Sequence, residues 1–122
     1  MTDRQFDTNI LIDALRGRPE ARTELTRAGR RWISRITWIE VLAGADEASF
    51  ADTEAFLDHF SIVELDADVA WRAAMIRQQK RMKLPDAIIW ASAQAAGHVL
   101  VTRNSKDFPA DAPGVRIPYQ LS

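Results

Sequence analysis

Short runs of β-branched and aromatic residues alternate along this chain with stretches whose apolar positions recur at helical spacing. Gln5-Phe6 leads as a strand into Asp7-Thr8-Asn9, after which Ile10, Leu11 and Leu15 mark a helix ended by Gly17 and Pro19. Residues 20–28 read as a polar helix stopped by Gly29, so the two helices form a small hairpin. Residues 30–36 are expected as a strand, followed by a helix that starts at Thr37 and closes at Gly44. Residues 50–60 are amphipathic and offer Phe50, Ala51, Phe56, Leu57 and Phe60 to a core. Residues 61–65 predict an interior strand, and Asp66 caps a long helix running to about Met82. On that helix Val69, Ala73 and Ile76 line one face and Trp71, Met75 and Met82 its neighbour, both read as packing. Pro85 suits the first turn of a helix that continues through residues 87–96 to Gly97. Residues 98–102 form a third strand, 103–108 a loop or short helical turn, and 115–117 an edge strand fenced by Pro113 and Pro118. Strands alternating with helices predict an α/β fold, a three-layer sandwich around a central, mainly parallel sheet.

Length and composition narrow the function. At 122 residues the chain is expected to be a single domain over 1–122 with a core that needs no staple. Without cysteine there are neither disulfides nor thiolate metal sites, and oxygen ligands remain. Residues 87–102 carry no charge, but Gln94, Gly97 and His98 interrupt a run already short of the ~20 apolar residues a membrane span needs. Charges at Asp3, Arg4, Asp7 and Asp13 do not resemble a signal peptide, so a cytoplasmic protein is expected. The formal net charge of −1 argues against undirected attraction to nucleic acid. The charges are nonetheless segregated: residues 46–68 contain acids and no Lys or Arg, whereas 72–83 contain Arg72, Arg77, Lys80, Arg81 and Lys83 and no acid. Such a run is first a solvated helix face and second a means of steering a polyanion.

Candidate chemistry lies where strands give way to helices. Asp7 follows the first strand, Glu40 opens the helix after the second, Asp86 follows Pro85 at a helix start, and Asn104 and Asp107 follow the third strand. Ligands in parallel sheets collect beyond the strand C-termini, so acids at these junctions face a site. Each also has a local explanation: Asp7 as an N-cap, Thr37-x-x-Glu40 as a capping box, Asp86 as a complement to the helix dipole, Asp107 as a turn residue. Convergence separates the readings. Two carboxylates about 5 Å apart at an effective dielectric near 20 repel by roughly 3 kcal/mol, so several such pairs require a cation. With oxygen donors only, Mg²⁺ or Mn²⁺ is favoured over Zn²⁺, which suits phosphodiester hydrolysis by an activated water.

Asp7-Thr8-Asn9, Ile36-Thr37-Trp38-Ile39-Glu40, Leu84-Pro85-Asp86-Ala87 and the segment Leu100-Val101-Thr102-Arg103-Asn104-Ser105-Lys106-Asp107-Phe108 together resemble the successive signatures of a PIN domain. The short chain is similar to the VapC toxins of type II toxin–antitoxin pairs. The resemblance implies a PIN-like α/β/α sandwich and a Mg²⁺-dependent endoribonuclease, with Mn²⁺ able to substitute. It implies metal binding and catalysis by Asp7, Glu40 and Asp86, with support from Thr8, Asn9 and Thr102. The family's fourth acid falls after Thr102, where this chain has Asn104, with Asp107 three residues on. It also implies a homodimer, a cognate VapB-type antitoxin whose C-terminal segment lies in the active-site groove, RNA substrates such as tRNA, and promoter DNA bound only through the antitoxin complex.

Two other classes fit the same pattern: a PIN-like nuclease acting on DNA or in RNA processing without an antitoxin, and a non-catalytic domain that binds a partner. Arg16, Arg18, Arg22, Arg103 and Lys106 are candidate contacts to the RNA backbone, each also readable as surface solvation. The four tryptophans suit core or interface positions better than base stacking, and His59 and His98 fall in no acidic motif.

Overall fold

The computed structural model describes residues 3–121. β1 (Arg4–Phe6) leads into the hairpin of α1 (Thr8–Leu15) and α2 (Pro19–Arg27); β2 (Arg31–Ser34), α3 (Arg35–Ala43), α4 (Phe50–Leu57) and β3 (Ser61–Val63) follow. The chain continues through α5 (Ala67–Lys80), α6 (Leu84–Ala96), β4 (Val99–Val101) and β5 (Val115–Arg116). The strands form one sheet in the order β3-β2-β1-β4-β5, and every pairing is parallel. All the C-terminal strand ends therefore open on one edge.

Alternation along the strands sorts the side chains into two cores. Phe6, Ile33 and Val101 face a layer with Ile10, Leu11, Leu25, Val41 and Leu57 from α1–α4. Leu100 faces the other layer with Val69, Ala73 and Ile76 of α5 and Ala87, Ile89, Trp90 and Ala91 of α6. Burying each large side chain stabilises the fold by roughly 1.5–3 kcal/mol. Small residues on α6 let it lie close to the sheet, where Ser92 Oγ donates to Ser34 Oγ at 3.0 Å, and Gly97 closes the helix at φ 71°. Gln5, fully buried in the central strand, donates from Nε2 to the Ile89 carbonyl at 2.9 Å.

Four expectations need correction. Ser34, not Thr37, caps α3: its hydroxyl accepts from the Ile36 amide, so the strand ends at Ser34 and Thr37 is buried in the first helical turn. The strand at residues 61–63 lies at a sheet edge and not inside, because nothing pairs with β3 beyond β2 among the described residues, and Leu65 is exposed. Trp71 is 65% exposed, since α5 packs only through its Val69, Ala73 and Ile76 stripe. Phe50 and Ala51 point outward, and α4 ends at Leu57. No helix among the described residues is long and apolar enough to cross a membrane.

Candidate active site

Asp7 leaves β1 in extended conformation and caps α1, which brings its carboxylate to the open strand edge with only 3% of its surface exposed. Oδ1 accepts from the Thr8 amide at 2.7 Å; Oδ2 accepts from Thr102 Oγ1 at 2.7 Å and Asn9 Nδ2 at 3.1 Å. Both oxygens are thus fixed in place. The Thr8 hydroxyl donates to Glu40 Oε1 at 2.8 Å and lies 3.0 Å from Thr37 Oγ1, so α3 delivers Glu40 to the same edge. This bond, across 32 positions, replaces the capping box as the account of Glu40.

Asp86 arrives on the first turn of α6, half-buried, and its carboxylate has no hydrogen-bond donor among the described residues. Asp107 comes from the loop after β4. Asn104 Nδ2 donates to Asp107 Oδ2 at 2.9 Å, while Asn104 Oδ1 accepts from the Asp107 amide at 3.3 Å. The Asn104 amide donates to Thr102 Oγ1, the same hydroxyl that holds Asp7, and the Arg103 amide donates to Asn9 Oδ1. Asn104 thus orients Asp107.

The electrostatics show that these acids feel one another. Burial pushes the Asp7 carboxyl up to about 6 against the opposing bonds from Thr102 and Thr8, and the charges of Asp86 and Glu40 add to the rise. Asp86 is raised by burial and then by Asp107 and Glu40, with Lys83 in partial opposition. Among the described residues, no arginine forms an ion pair with any of the four. Among the described residues, no three acidic or histidine side chains are already drawn together tightly enough to hold a metal ion. The donor set nevertheless fits a hard divalent cation: the side chains on offer are carboxylates, their mutual repulsion is only partly offset by Lys83, and Asp86 has no hydrogen bond among the described residues.

The structure therefore sets Asp7 within reach of the charges of Asp86 and Glu40, and Asp86 within reach of those of Asp107 and Glu40, with Thr8, Asn9 and Thr102 bonded around Asp7 and Glu40 and Asn104 bonded to Asp107. The cationic candidates fare differently. Arg103 grips Asp13 with both arms, Nε–Oδ2 at 2.6 Å and Nη2–Oδ1 at 3.1 Å, and Tyr119 donates to the same carboxylate at 2.7 Å. Lys106 is exposed, and Arg16 is exposed beside Glu40 in a groove of about 510 Å³ lined also by Ile12, Leu15, Val41 and Thr53. Sequence reasoning missed Asp13, which is buried. Its only trace was an acid set between the apolar neighbours Ile12 and Ala14, with its partner 90 positions away.

The PIN domain family model matches residues 6–110. A chain of a toxin–antitoxin complex from Klebsiella pneumoniae is similar at 45% identity and a TM-score of 0.92, covering 98% of this chain and 100% of that one. A chain of DNA-bound VapBC from Salmonella typhimurium aligns at 26% identity and a TM-score of 0.80, covering 95% and 96%. A chain of VapBC-5 from Mycobacterium tuberculosis, at 22% identity and a TM-score of 0.65, covers 99% and 100% and shows the shared fold alone. No curated protein matches the chain.

Proposed function

The chain belongs to the PIN domain family, and on that premise we propose that it is a Mg²⁺-dependent endoribonuclease acting as the toxin of a toxin–antitoxin pair. One observation supports the nuclease reading: acids from separate elements, Asp7, Glu40, Asp86 and Asp107, act on one another's titration at the open strand edge, and among the described residues no arginine or lysine forms an ion pair with them. Similarity at 45% identity to a chain of a toxin–antitoxin complex supports the toxin role.

Asp7, Glu40 and Asp86 would hold the ion, with Asp107 adding charge from the loop after β4. When bound, Mg²⁺ or Mn²⁺ lowers the pKa of a coordinated water and stabilises charge on the phosphate. Thr102, Asn9 and the Thr8 amide hold both Asp7 oxygens, and the Thr8 hydroxyl holds Glu40 Oε1, so the site is ordered before substrate arrives. Asp86, whose carboxylate accepts no hydrogen bond among the described residues, would keep one oxygen free to accept the proton of the attacking water. The water oxygen bonds to phosphorus as one ester P–O bond breaks, and the leaving oxygen is protonated from solvent.

A cognate VapB-type antitoxin would seat its C-terminal segment in the groove beside Glu40, and the toxin would pair as a homodimer. Promoter DNA would be reached through the antitoxin complex, as the DNA-bound neighbour from Salmonella typhimurium suggests. The test is incubation of the purified protein with total RNA, including tRNA, in Mg²⁺ and in chelator, with mapping of the new ends. Discrete ends that vanish in chelator are expected. RNA left intact in Mg²⁺, or DNA cut instead, overturns the reading.

A further inference from the structure

A cluster of acids repels a polyanion, so cations flanking Asp7, Glu40, Asp86 and Asp107 help a phosphate chain to reach them. Arg103 is committed to Asp13. Another set of cations lies in the acid-free run of residues 72–83, which ends at Lys83, the N-cap of the helix whose first turn carries Asp86. Within it Arg72 pairs with Asp68, Arg77 donates to the Met82 carbonyl at 2.7 Å, and Lys80 lies over the Trp90 ring at 5.5 Å. Arg81 and Lys83 are left: both are exposed, and their side chains make no hydrogen bond or ion pair among the described residues.

The turn that carries them is built. Met82 is buried between the two, Arg77 holds its carbonyl, and Lys83 is the N-cap residue of α6, three positions before Asp86. Arg81 adopts φ 54° and ψ 30°, the left-handed region, and is the one non-glycine residue with positive φ among the described residues. Glycine takes that conformation at lower cost. What arginine supplies there and glycine does not is a guanidinium.

We infer that Arg81 and Lys83 form a clamp for the RNA backbone, binding phosphates that flank the scissile one and delivering the strand to the acids. The inference rests on RNA as the substrate class proposed above. Each phosphate contact with single-stranded nucleic acid contributes roughly 0.7 to the slope of log affinity against log salt. Removing both cations should therefore reduce the slope by about 1.4.

The experiment measures binding of a fluorescein-labelled single-stranded oligoribonucleotide by anisotropy, in chelator to prevent cleavage, between about 50 and 200 mM KCl. Arg81→Gly combined with Lys83→Gln is expected to lose about 1.4 in slope and bind several-fold more weakly at low salt. Arg81→Gly alone is expected to weaken binding while raising Tm by roughly 3 °C, because strain is relieved as charge is lost. Damage to the fold would move Tm the other way. Arg30→Gln, at the opposite end of the sheet over Trp32, should leave the slope unchanged. An unchanged slope in the double variant overturns the clamp even if the wild type cuts RNA, and so does a wild type that does not bind the oligoribonucleotide. A wild type that shows the slope but cuts nothing in Mg²⁺ overturns the proposed function and leaves the clamp standing.

Discussion

Two groups of buried or half-buried acids lie within this small fold, and they titrate in opposite directions. Asp13 and Glu24 are as buried as Asp7, yet both are held below the usual carboxylate range. At Asp13, burial pushes up, but hydrogen bonds from Arg103 and Tyr119 and the charges of Arg103 and Arg18 outweigh it. At Glu24, the Arg116 hydrogen bonds at 2.8 and 3.1 Å prevail over burial, with the charges of Arg116, Arg4 and Arg27 behind them. Asp7 and Asp86 are raised, with other acids as neighbours. Acids matched with arginine tie the fold together: Arg103–Asp13 joins the loop after β4 to α1, and Arg116–Glu24 joins β5 to α2. Acids left unmatched by arginine at the strand edge are instead pushed up by burial and by one another.

The sharpest test of this contrast is loss of the unmatched acids. Asp7→Asn or Asp86→Asn should lower RNA cleavage by at least about 10³-fold, roughly 4 kcal/mol, in an assay of total RNA. Asp86→Asn should not lower Tm, since its carboxylate has no hydrogen bond to lose. An active, folded Asp7→Asn protein would break the comparison.

The pH dependence of stability follows from the same contrast. Asp7 rises from an ordinary 3.8 to about 6, so between those values the unfolded chain has released a proton that the folded protein keeps. Stability in chelator therefore falls as pH rises from about 4 to 6, by about 3 kcal/mol from this group. Tm measured across that range should drop for the wild type and stay flatter for Asp7→Asn, and Mg²⁺ should restore the wild-type Tm above pH 6. Asp13 and Glu24 act with the opposite sign: their stabilisation is lost only as pH falls below the ordinary carboxylate range.

A smaller effect is expected from the matched acids. Asp13→Asn leaves Arg103 without its charge partner and should destabilise the fold by about 2 kcal/mol by denaturant titration, less than the roughly 3–5 kcal/mol of a fully buried pair because Arg103 is partly in solvent. Smallest is the orienting effect of Asn104. Asn104→Ala should cut cleavage about fivefold, roughly 1 kcal/mol, and Asp107→Ala should cut it more, since the first misaligns the acid and the second removes it. A larger loss for Asn104→Ala than for Asp107→Ala would show that Asn104 does more than orient Asp107.

Much of the fold was legible because its signals are local. Pro19, Gly29, Gly97 and the runs around Phe6, Ile33 and Leu100 mark element ends and strands with no knowledge of the rest of the chain. The junction positions of the acids at 7, 86 and 107 were legible for the same reason, each following a strand or opening a helix. Glu40 carried an ambiguous signal, since Thr37-x-x-Glu40 has the form of a capping box while Ser34 is the cap the helix uses. Trp71 and the residue 61–63 strand misled because hydrophobicity predicts a buried face but not whether a second layer or strand arrives to cover it.

The sequence by itself determined the alternation of strands and helices, the absence of thiol chemistry, and which short segments could place oxygen ligands at strand ends. Only the tertiary structure decided which acids are answered by arginine and which face one another. Charge interactions act through space: Asp13 finds Arg103 across 90 positions and Glu24 finds Arg116 across 92, while Asp86 meets Asp107 and Glu40 on other elements. A carboxylate's role is fixed by the neighbours the folded sheet gives it, and no local pattern encodes them.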